Sequence, residues 1–384
     1  MSTPATPWVR TAEDVAALRA CLQGCRAIGL DTEADSLHHH REKVCLIQLA
    51  TDRGDALLID PLAVRDLEPL GAALADVDVV KVLHGADYDV TSLKRDFGFP
   101  IARVFDTMIA SRFLGLPEVG LQAVLRNELG VALSKSSQKD DWSVRPLTPL
   151  QEQYALSDVR HLLPLYERLC EKLRAQGRLA WVEEESAAVA ALEPARRGRD
   201  PEGWLRIKGA RRLAPRQQAV LRELHEWRED LAETTDIPAF RILSPQALLT
   251  LAEAPPREAR VVERMPGLPR LAKQRAGELL AAVVRAEALP EDRLPRMPPE
   301  RRPVIPPAVQ RRVDVLRAWR AEAARRLALD VSLVLPQRLL DKVAEAAPRD
   351  LAGLEQVEGL RRWRVREVGG EILAVLRGAP GLSR

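Results

Sequence analysis

Two acidic residues stand at the end of an apolar segment, where their spacing is suited to binding a metal ion. In IGLDTEAD, Ile28 to Asp35, the apolar run leads directly into Asp31, Glu33 and Asp35. Side chains two residues apart on a strand point to the same face, so Asp31 and Glu33 point together and Thr32 points the other way. Crowded carboxylates repel one another unless water or a cation separates them. The pattern therefore predicts either a divalent metal site or an ordinary solvated loop.

Two later segments contain possible partners for these carboxylates. In YALSDV, Tyr154 and Asp158 are four residues apart, which places them on one face of a helix. In ADYDVTSL, which follows the apolar run VVKVLHG, Asp87 and Asp89 stand at the start of a helical pattern. Four carboxylates and a phenol, from a strand and two helices, can therefore converge on one pocket.

This set of groups suits the hydrolysis of a phosphodiester by two metal ions. Hard divalent cations such as Mg²⁺ and Mn²⁺ prefer oxygen ligands, and four carboxylates balance the charge of two of them. Two such ions about 3.5–4 Å apart stabilise both the attacking and the leaving oxygen. The hydroxyl of Tyr154 could orient the attacking water or help to deprotonate it, so no histidine is needed as a base.

The elements that would position these residues follow an α/β pattern. AIGLDT, VCLIQLAT, ALLID and VVKVLHG are short apolar runs separated by charged turns, which predicts four strands. Helical periodicity follows at residues 86–97, 106–114 and 120–129, and Asp106 is predicted to cap the second of these helices.

A longer helix is predicted to carry Tyr154. Its start is marked by Thr148 as N-cap, Pro149 at the first position and Gln151 at the third. We expect this helix to end near Gly177, with a kink at Pro164.

Composition indicates a multidomain intracellular protein. With 384 residues, 46% of them hydrophobic, the chain is long enough for two or three domains. No apolar run approaches the roughly 18 residues of a membrane helix, and MSTPATPWVR lacks the apolar core of a signal peptide. The cysteines have no metal-site spacing and suit a reducing cytoplasm: Cys21, Cys25, Cys45 and Cys170.

The second half of the chain differs in charge and contains an internal repeat. Residues 1–175 carry 20 Lys and Arg against 25 Asp and Glu, and the remainder carries 38 against 30, which favours a polyanionic partner for the second half. LRELHEWRED, with Trp227, recurs as VDVLRAWRAEA, with Trp319, and both tryptophans are predicted to be core residues. The proline-rich LPEDRLPRMPPERRPVIPP separates the two helical copies as a semi-rigid linker.

Taken in order, Asp31-x-Glu33, LHGADYD and Tyr154-x-x-x-Asp158 resemble the three motifs of the DEDD superfamily of 3′ to 5′ exonucleases, in its tyrosine branch. The segments around them, including DTEADSLHHHREKVCLIQLA, FDTMIASRFLG and DDWSVRPLTPLQEQYALSDVRHLLPLYERL, are similar to the ribonuclease D family. The repeated module resembles the HRDC domain that helicases share with that family. The resemblance covers nearly the whole chain.

The resemblance implies an α/β RNase H-like exonuclease domain with a mixed sheet, followed by two small all-α HRDC-like domains. The expected boundaries are 1–178 for the exonuclease domain, 179–209 for a connector, 210–288 for the first HRDC-like domain, 289–306 for the proline-rich linker and 307–384 for the second HRDC-like domain.

The implied activity is that of a metal-dependent 3′ to 5′ exoribonuclease in the cytoplasm, acting on RNA 3′ ends such as those of tRNA precursors, with no membrane and no obligate protein partner. By the same resemblance Asp31 would bridge two ions, Mg²⁺ or Mn²⁺, while Glu33 and Asp158 would complete the ion beside the nucleophile. Tyr154 would position the water. Asp89, five residues after His84, would be the remaining acid, with Asp87 as the alternative.

Other residues are candidates for contacts with nucleic acid. His84, Lys139, Trp142 and Arg145 lie close to the motifs, although Trp142 is equally consistent with packing. Further phosphate contacts are expected from basic residues around the first module: Arg196, Arg197, Arg199, Arg206, Lys208, Arg211 and Arg212. The basic segment LRRWRVRE gives the second module a similar character, although that copy could instead pack against the nuclease domain.

Two alternative functions remain open at the level of sequence. A DNA-directed exonuclease would use the same carboxylates, and a non-catalytic RNA-binding adaptor would be expected to lack at least one of them. The triplet His38 to His40 could suggest a metal site, but adjacent residues on an extended loop diverge, which favours a loop near the substrate entrance. Asp35 fits no motif and is expected to be solvated.

Overall fold

The computed structural model describes residues 8–133, 137–195, 198–296 and 305–378. Its contacts divide the chain into two units. The first contains Met1–Glu33, Val44–Pro194 and Val304–Arg384, and the second contains Ala34–Lys43 and Ala195–Pro303. Within the described ranges, no helix has both the length and the apolar character needed to cross a bilayer.

A six-stranded mixed sheet forms the centre of the first unit. Its strands are β1 (Trp8–Val9), β2 (Ala27–Ala34), β3 (Val44–Thr51), β4 (Ala56–Ile59), β5 (Val80–Leu83) and β6 (Val104–Asp106), in the spatial order β1-β4-β3-β2-β5-β6. β3 and β4 are antiparallel, whereas β2, β5 and β6 run parallel to one another. The carboxyl ends of those three parallel strands therefore meet at one edge, where α/β sheets commonly place their ligands. The predicted mixed α/β sheet is confirmed.

Eight helices surround this sheet. They are α1 (Ala12–Leu22), α2 (Glu68–Ala75), α3 (Asp87–Phe97), α4 (Thr107–Phe113), α5 (Leu121–Leu129), α6 (Pro149–Arg160), α7 (Leu162–Ala175) and α8 (Leu179–Ala190). The last of them, α8, lies within residues 179–209, the predicted connector. It packs against β6, α3 and α4.

The predicted long helix is interrupted earlier than expected. Its start is as predicted, since the Thr148 hydroxyl accepts a hydrogen bond from the Gln151 backbone and the Gln151 side chain accepts one from Thr148. However, α6 ends at Arg160 and α7 begins at Leu162, so the break lies before Pro164. Pro164 has no N–H for the Arg160 carbonyl and its ring would clash with that group, which explains the position of the break.

One glycine allows the break between α6 and α7 to approach the central strand closely. A Cβ at Gly29 would lie 3.2 Å from the Leu162 Cβ and 3.3 Å from the Val159 carbonyl oxygen. A side chain on β2 at this position would push the two helices away. Gly29 therefore helps to bring the end of α6, which carries Asp158, against β2, which carries Asp31.

The two repeats fold as similar helical modules. The first contains α9 (Pro215–Thr235), α10 (Ala239–Ile242), α11 (Pro245–Glu253), α12 (Ala259–Arg264), α13 (Arg270–Gln274) and α14 (Ala276–Glu287). The second contains α15 (Pro307–Leu327), α16 (Val331–Val334), α17 (Gln337–Ala346), α18 (Leu351–Glu355) and α19 (Arg362–Gly378).

The modules share an internal contact that matches the repeat in the sequence. The Trp227 indole N–H donates to Glu278 at 3.4 Å, and the Trp319 indole N–H donates to Glu371 at 2.9 Å. Trp227 is buried and Trp319 is partly buried, in line with their predicted packing role. Part of the predicted linker, residues 297–304, lies outside the described residues.

Candidate active site

Three carboxylates from distant parts of the sequence meet at the edge of the sheet. Asp31 and Glu33 lie on β2, and Asp158 lies on the last turn of α6. One carboxylate oxygen from each of the three lies within 4.8 Å of the others. The structure thus brings together Asp31 and Glu33 of the D-x-E motif and Asp158 of the Y-x-x-x-D motif, although the two motifs are more than a hundred residues apart in the sequence.

Asp89 joins this group through a residue that the sequence analysis did not select. Asp89 lies in the first turn of α3 and is 6% exposed, whereas Asp87 is exposed. The Thr32 hydroxyl donates a hydrogen bond to an Asp89 carboxylate oxygen. Thr32 therefore ties β2 to α3, and the structure favours Asp89 over Asp87 as the acid of the second motif.

Loss of the Thr32 hydroxyl is expected to weaken the site. In Thr32→Val, Asp89 would lose a hydrogen bond to its charged form, which contributes about 1.5–3 kcal/mol. We expect activity to fall about tenfold at limiting Mg²⁺, with recovery at higher concentration. The measurement is the Mg²⁺ concentration for half-maximal RNA shortening. Thr32→Ser keeps the hydroxyl and should behave like the wild type; equal losses in both variants would contradict this role.

The electrostatics of the four acids favour a bound cation. Burial raises the pKa of Asp31 well above its usual range, and the carboxylates of Asp89, Glu33 and Asp158 raise it further. Burial also raises the pKa of Glu33 to about 9, and those of Asp89 and Asp158 to about 7. The four groups cannot all ionise together without a compensating positive charge. An all-oxygen donor set with excess negative charge fits a hard divalent cation.

Raised carboxyl pKa values make the stability of the metal-free protein dependent on pH. These groups hold protons in the folded state at pH values where the unfolded chain has lost them, so stability falls as pH rises from about 4. The fall continues through pH values of about 7, where Asp89 and Asp158 ionise in the folded protein. A bound divalent cation such as Mg²⁺ would offset this loss. We expect it to raise the midpoint of thermal unfolding more at about pH 8 than at about pH 5. Equal shifts at both pH values would contradict the expectation.

Tyr154 lies beside these acids as a neutral hydroxyl. Burial raises its pKa, and the carboxylate of Asp158 raises it further. The phenol therefore keeps its proton at neutral pH and can donate a hydrogen bond. Its ring centroid is 6.0 Å from that of Trp142, which is 1% exposed. Trp142 thus fixes the position of the Tyr154 ring by packing.

Asp106 supports the site from the end of β6. It is 3% exposed and caps α4, as predicted, by accepting hydrogen bonds from Met108 and Ile109. The same carboxylate also accepts from the backbone N–H groups of Gly85, at 3.0 Å, and Ala86, at 2.9 Å. These residues directly precede α3. One buried carboxylate therefore positions the start of the helix that carries Asp89.

The structure assigns internal roles to two of the residues predicted to contact nucleic acid. Trp142 is enclosed and offers almost no surface to a ligand. The Arg145 guanidinium donates to both carboxylate oxygens of Asp60, at 2.6 and 3.0 Å, and to the Cys45 carbonyl at 2.6 Å. Both side chains therefore stabilise the wall of the site, and direct RNA contacts by them are not supported.

The other two candidates lie at different depths. Lys139 is exposed. His84 is half-buried, with Nδ1 2.9 Å from the Thr107 hydroxyl. Burial lowers the pKa of His84. A neutral imidazole at His84, held against the Thr107 hydroxyl, suits a structural role.

The loop that follows Glu33 differs from the prediction. Asp35, expected to be solvated, is 0% exposed, pairs with the Lys43 ammonium and accepts from the Lys43 backbone N–H at 2.8 Å. His39 Nδ1 lies 2.6 Å from a carboxylate oxygen of Asp236. Among the described residues, Asp31, Glu33 and Asp158 form the one cluster with metal-binding spacing, so the histidine triplet is not such a site.

Comparisons with known proteins match both parts of the chain. A 3′-5′ exonuclease family model matches residues 6–174, and the HRDC domain model matches residues 217–284 and 309–376. Ribonuclease D of Gluconacetobacter diazotrophicus is 33% identical over 376 residues, which cover 96% of this chain and 92% of that protein. Ribonuclease D of Pseudomonas paraeruginosa is 30% identical over 383 residues, 99% of this chain and all of that protein (100%).

Solved structures show the same similarity. RNase D of Escherichia coli, described as an exoribonuclease involved in structured RNA processing, has a TM-score of 0.69 and 26% identity, and the match covers 96% of this chain and 98% of that one. The catalytic core of RRP6 from Trypanosoma brucei has a TM-score of 0.66 and 30% identity, with 75% and 82% covered. The fold is shared along nearly the whole length with the Escherichia coli structure and along three quarters of this chain with the RRP6 core.

Proposed function

Since the chain belongs to the ribonuclease D family and is a 3′ to 5′ exoribonuclease, we propose that it trims the 3′ ends of structured RNAs, such as tRNA precursors, by two-metal-ion hydrolysis. The observation that carries this proposal is the convergence of Asp31, Glu33 and Asp158, with Asp89 beside them and Tyr154 one helical turn from Asp158. The four cysteines are free thiols, which is consistent with action in the cytoplasm, where such precursors are made.

The acidic residues would hold the ions. Asp31 faces all three other carboxylates, which makes it the residue best placed to bridge two cations, while Glu33 and Asp158 would complete one site and Asp89 the other. When bound, Mg²⁺ or Mn²⁺ would stabilise the negative charge that develops on the phosphate and would favour ionisation of the attacking water.

The protein's own groups have separate tasks. Tyr154 would orient the attacking water through its neutral hydroxyl, because its raised pKa prevents it from acting as an anionic base. Thr32 and Asp106 would hold Asp89 at a fixed distance from β2.

Affinity for the body of the RNA would come from the first HRDC module. Lys208, Arg211 and Arg212 are exposed, and none of them forms an ion pair within the described part of the chain. Arg199 and Arg206 instead pair with Asp230 and Asp200. Arg196 and Arg197 lie outside the described residues. Three unpaired cations on one short segment suit phosphate contacts that do not depend on base sequence.

The test is 3′-end shortening of a labelled tRNA precursor, of an RNA hairpin with a single-stranded tail, and of a DNA oligomer of the same sequence. We expect Mg²⁺-dependent shortening of both RNAs, its loss in EDTA, and little shortening of the DNA. Equal shortening of RNA and DNA would favour the DNA-directed alternative. If the hairpin is shortened and the tRNA precursor is left intact, the proposed substrate class is wrong.

A further inference from the structure

The second HRDC module packs against the exonuclease domain through an aromatic stack. Trp363, at the start of α19, stacks on Trp181 of α8 with ring centroids 4.6 Å apart and an angle of 14° between the planes. Phe113 meets the Trp363 ring edge-on at 5.4 Å. Trp181 and Trp363 are 6% and 1% exposed, so this contact is a closed part of the core.

Two acidic residues of α8 surround this stack with hydrogen bonds. Glu185 accepts from the Trp363 indole N–H at 2.9 Å and pairs with the guanidinium of Arg364. Glu184 accepts from the backbone N–H groups of Arg362 and Trp363, the latter at 2.9 Å. Glu184 therefore caps the N-terminus of α19 from a different helix, where a negative charge is most favourable.

A second contact fixes the end of α15. The Arg178 guanidinium donates to the Phe113 carbonyl at 2.7 Å and to the Leu327 carbonyl at 2.6 Å. A Cβ at Gly115 would lie 2.7 Å from the Ala328 carbonyl oxygen, and Gly115 has a φ of +73°. Only glycine is compatible with so close an approach of the two backbones.

These contacts involve the basic segment LRRWRVRE, whose sequence makes it a candidate for phosphate contacts with RNA. Arg361 and Arg364 both pair with Glu185, and Arg366 lies 3.8 Å from Glu184. The aligned positions of the first module, 92 residues earlier, hold Leu271 and Ala272 in place of Trp363 and Arg364. The first module therefore lacks the residues that dock the second.

The docked helix α8 also contacts the support of the active site. The Ser186 hydroxyl oxygen accepts from the Asp106 backbone N–H at 3.1 Å. The Asp106 side chain holds the residues that precede α3, and α3 carries Asp89. A continuous chain of contacts thus runs from α19 through α8 and β6 to the acid of the second motif.

We propose that the second HRDC module has a structural role and does not bind RNA. It is docked on the exonuclease domain through the contacts of Trp363 and Arg364 with Trp181 and Glu185, and this docking positions α8 and, through it, Asp89. The expected effect of this docking on kcat rests on the proposed exoribonuclease function. The expected effects on amide exchange and thermal unfolding do not.

The test compares Glu184→Gln/Glu185→Gln with Glu183→Gln in the full chain. Glu183 is exposed on the same helix and serves as a matched control. We expect the double variant to show about tenfold faster amide exchange in α19 and at the start of α3, and a lower midpoint of thermal unfolding. We also expect its kcat to be several-fold lower, while its KM for RNA is unchanged. Glu183→Gln should behave like the wild type. If the double variant matches Glu183→Gln in amide exchange, the module is not docked as proposed.

A second variant tests RNA binding directly. Arg362 has an exposed side chain at the start of α19, and Arg211 is an exposed arginine of the first module. We expect Arg362→Glu to leave KM for RNA unchanged and Arg211→Glu to raise it several-fold. A rise in KM with Arg362→Glu would overturn the proposal. Absence of activity in the wild type would refute the proposed function alone, because the exchange and unfolding measurements need no activity.

Discussion

Replacing Asp31 with asparagine is expected to reduce the rate of RNA 3′-end hydrolysis about a thousandfold or more, because it removes a metal ligand worth several kcal/mol in the transition state. Asparagine keeps the size of the side chain and one oxygen but removes the charge that faces Glu33, Asp89 and Asp158. The rate should be measured with saturating Mg²⁺ on a labelled RNA with a single-stranded tail, and Mn²⁺ binding should be followed by calorimetry.

The same substitution should stabilise the metal-free protein near neutral pH. Removing one of four mutually repelling carboxylates lowers the electrostatic cost of ionising the others, so thermal unfolding in EDTA should shift upward. Asp87→Asn is the matched control, because Asp87 is exposed on the first turn of α3 and should change neither property. An active Asp31→Asn enzyme would rule out the proposed metal site.

Replacing Tyr154 with phenylalanine is expected to lower kcat about a hundredfold, which is the lower end of the range for a group that assists proton transfer or orients water. The ring would still pack on Trp142, so the fold should be unchanged. Because the proposed role of Tyr154 is to orient water and its hydroxyl donates to Asp158, the Mg²⁺ requirement and KM should change little. Single-turnover kinetics over a range of Mg²⁺ concentrations would separate these effects.

A different outcome would reassign Tyr154. If Tyr154→Phe raised the Mg²⁺ requirement and left kcat intact at saturation, the hydroxyl would act by holding Asp158 in place. Tyr166→Phe provides a control. Tyr166 lies on α7 and is also a partly buried tyrosine, but its ring packs edge-on against Phe105, with the ring centroids 4.7 Å apart.

Structural features that are determined by neighbouring residues in the sequence were predictable. The start of α6 needs only Thr148, Pro149 and Gln151, and all three act as expected. The same kind of local signal marks the start of α1, where Thr11 and Asp14 form a capping box. Within each motif, strand and helix periodicity placed the acids on a common face.

Features that depend on a distant partner were not predictable. Thr32 gains its role from Asp89, 57 residues later, and its side chain was expected only to point away from Asp31. Arg145 pairs with Asp60, 85 residues earlier, and its charge alone gave no indication of this internal contact. The same holds for Arg361 and Arg364 of LRRWRVRE, whose acidic partner Glu185 lies on α8 and is more than 170 residues earlier in the sequence.

The docking of α19 on α8 has a consequence for the order in which the protein is made. The unit that contains the sheet is built from three stretches of chain, Met1–Glu33, Val44–Pro194 and Val304–Arg384, and the first HRDC module is encoded between the last two. On the ribosome the five side chains proposed for catalysis emerge well before Trp363, so for that interval Trp181 is uncovered and Glu184 and Glu185 lack their partners. A nascent nuclease surrounded by messenger and transfer RNA would therefore complete this contact only after α19 has been translated.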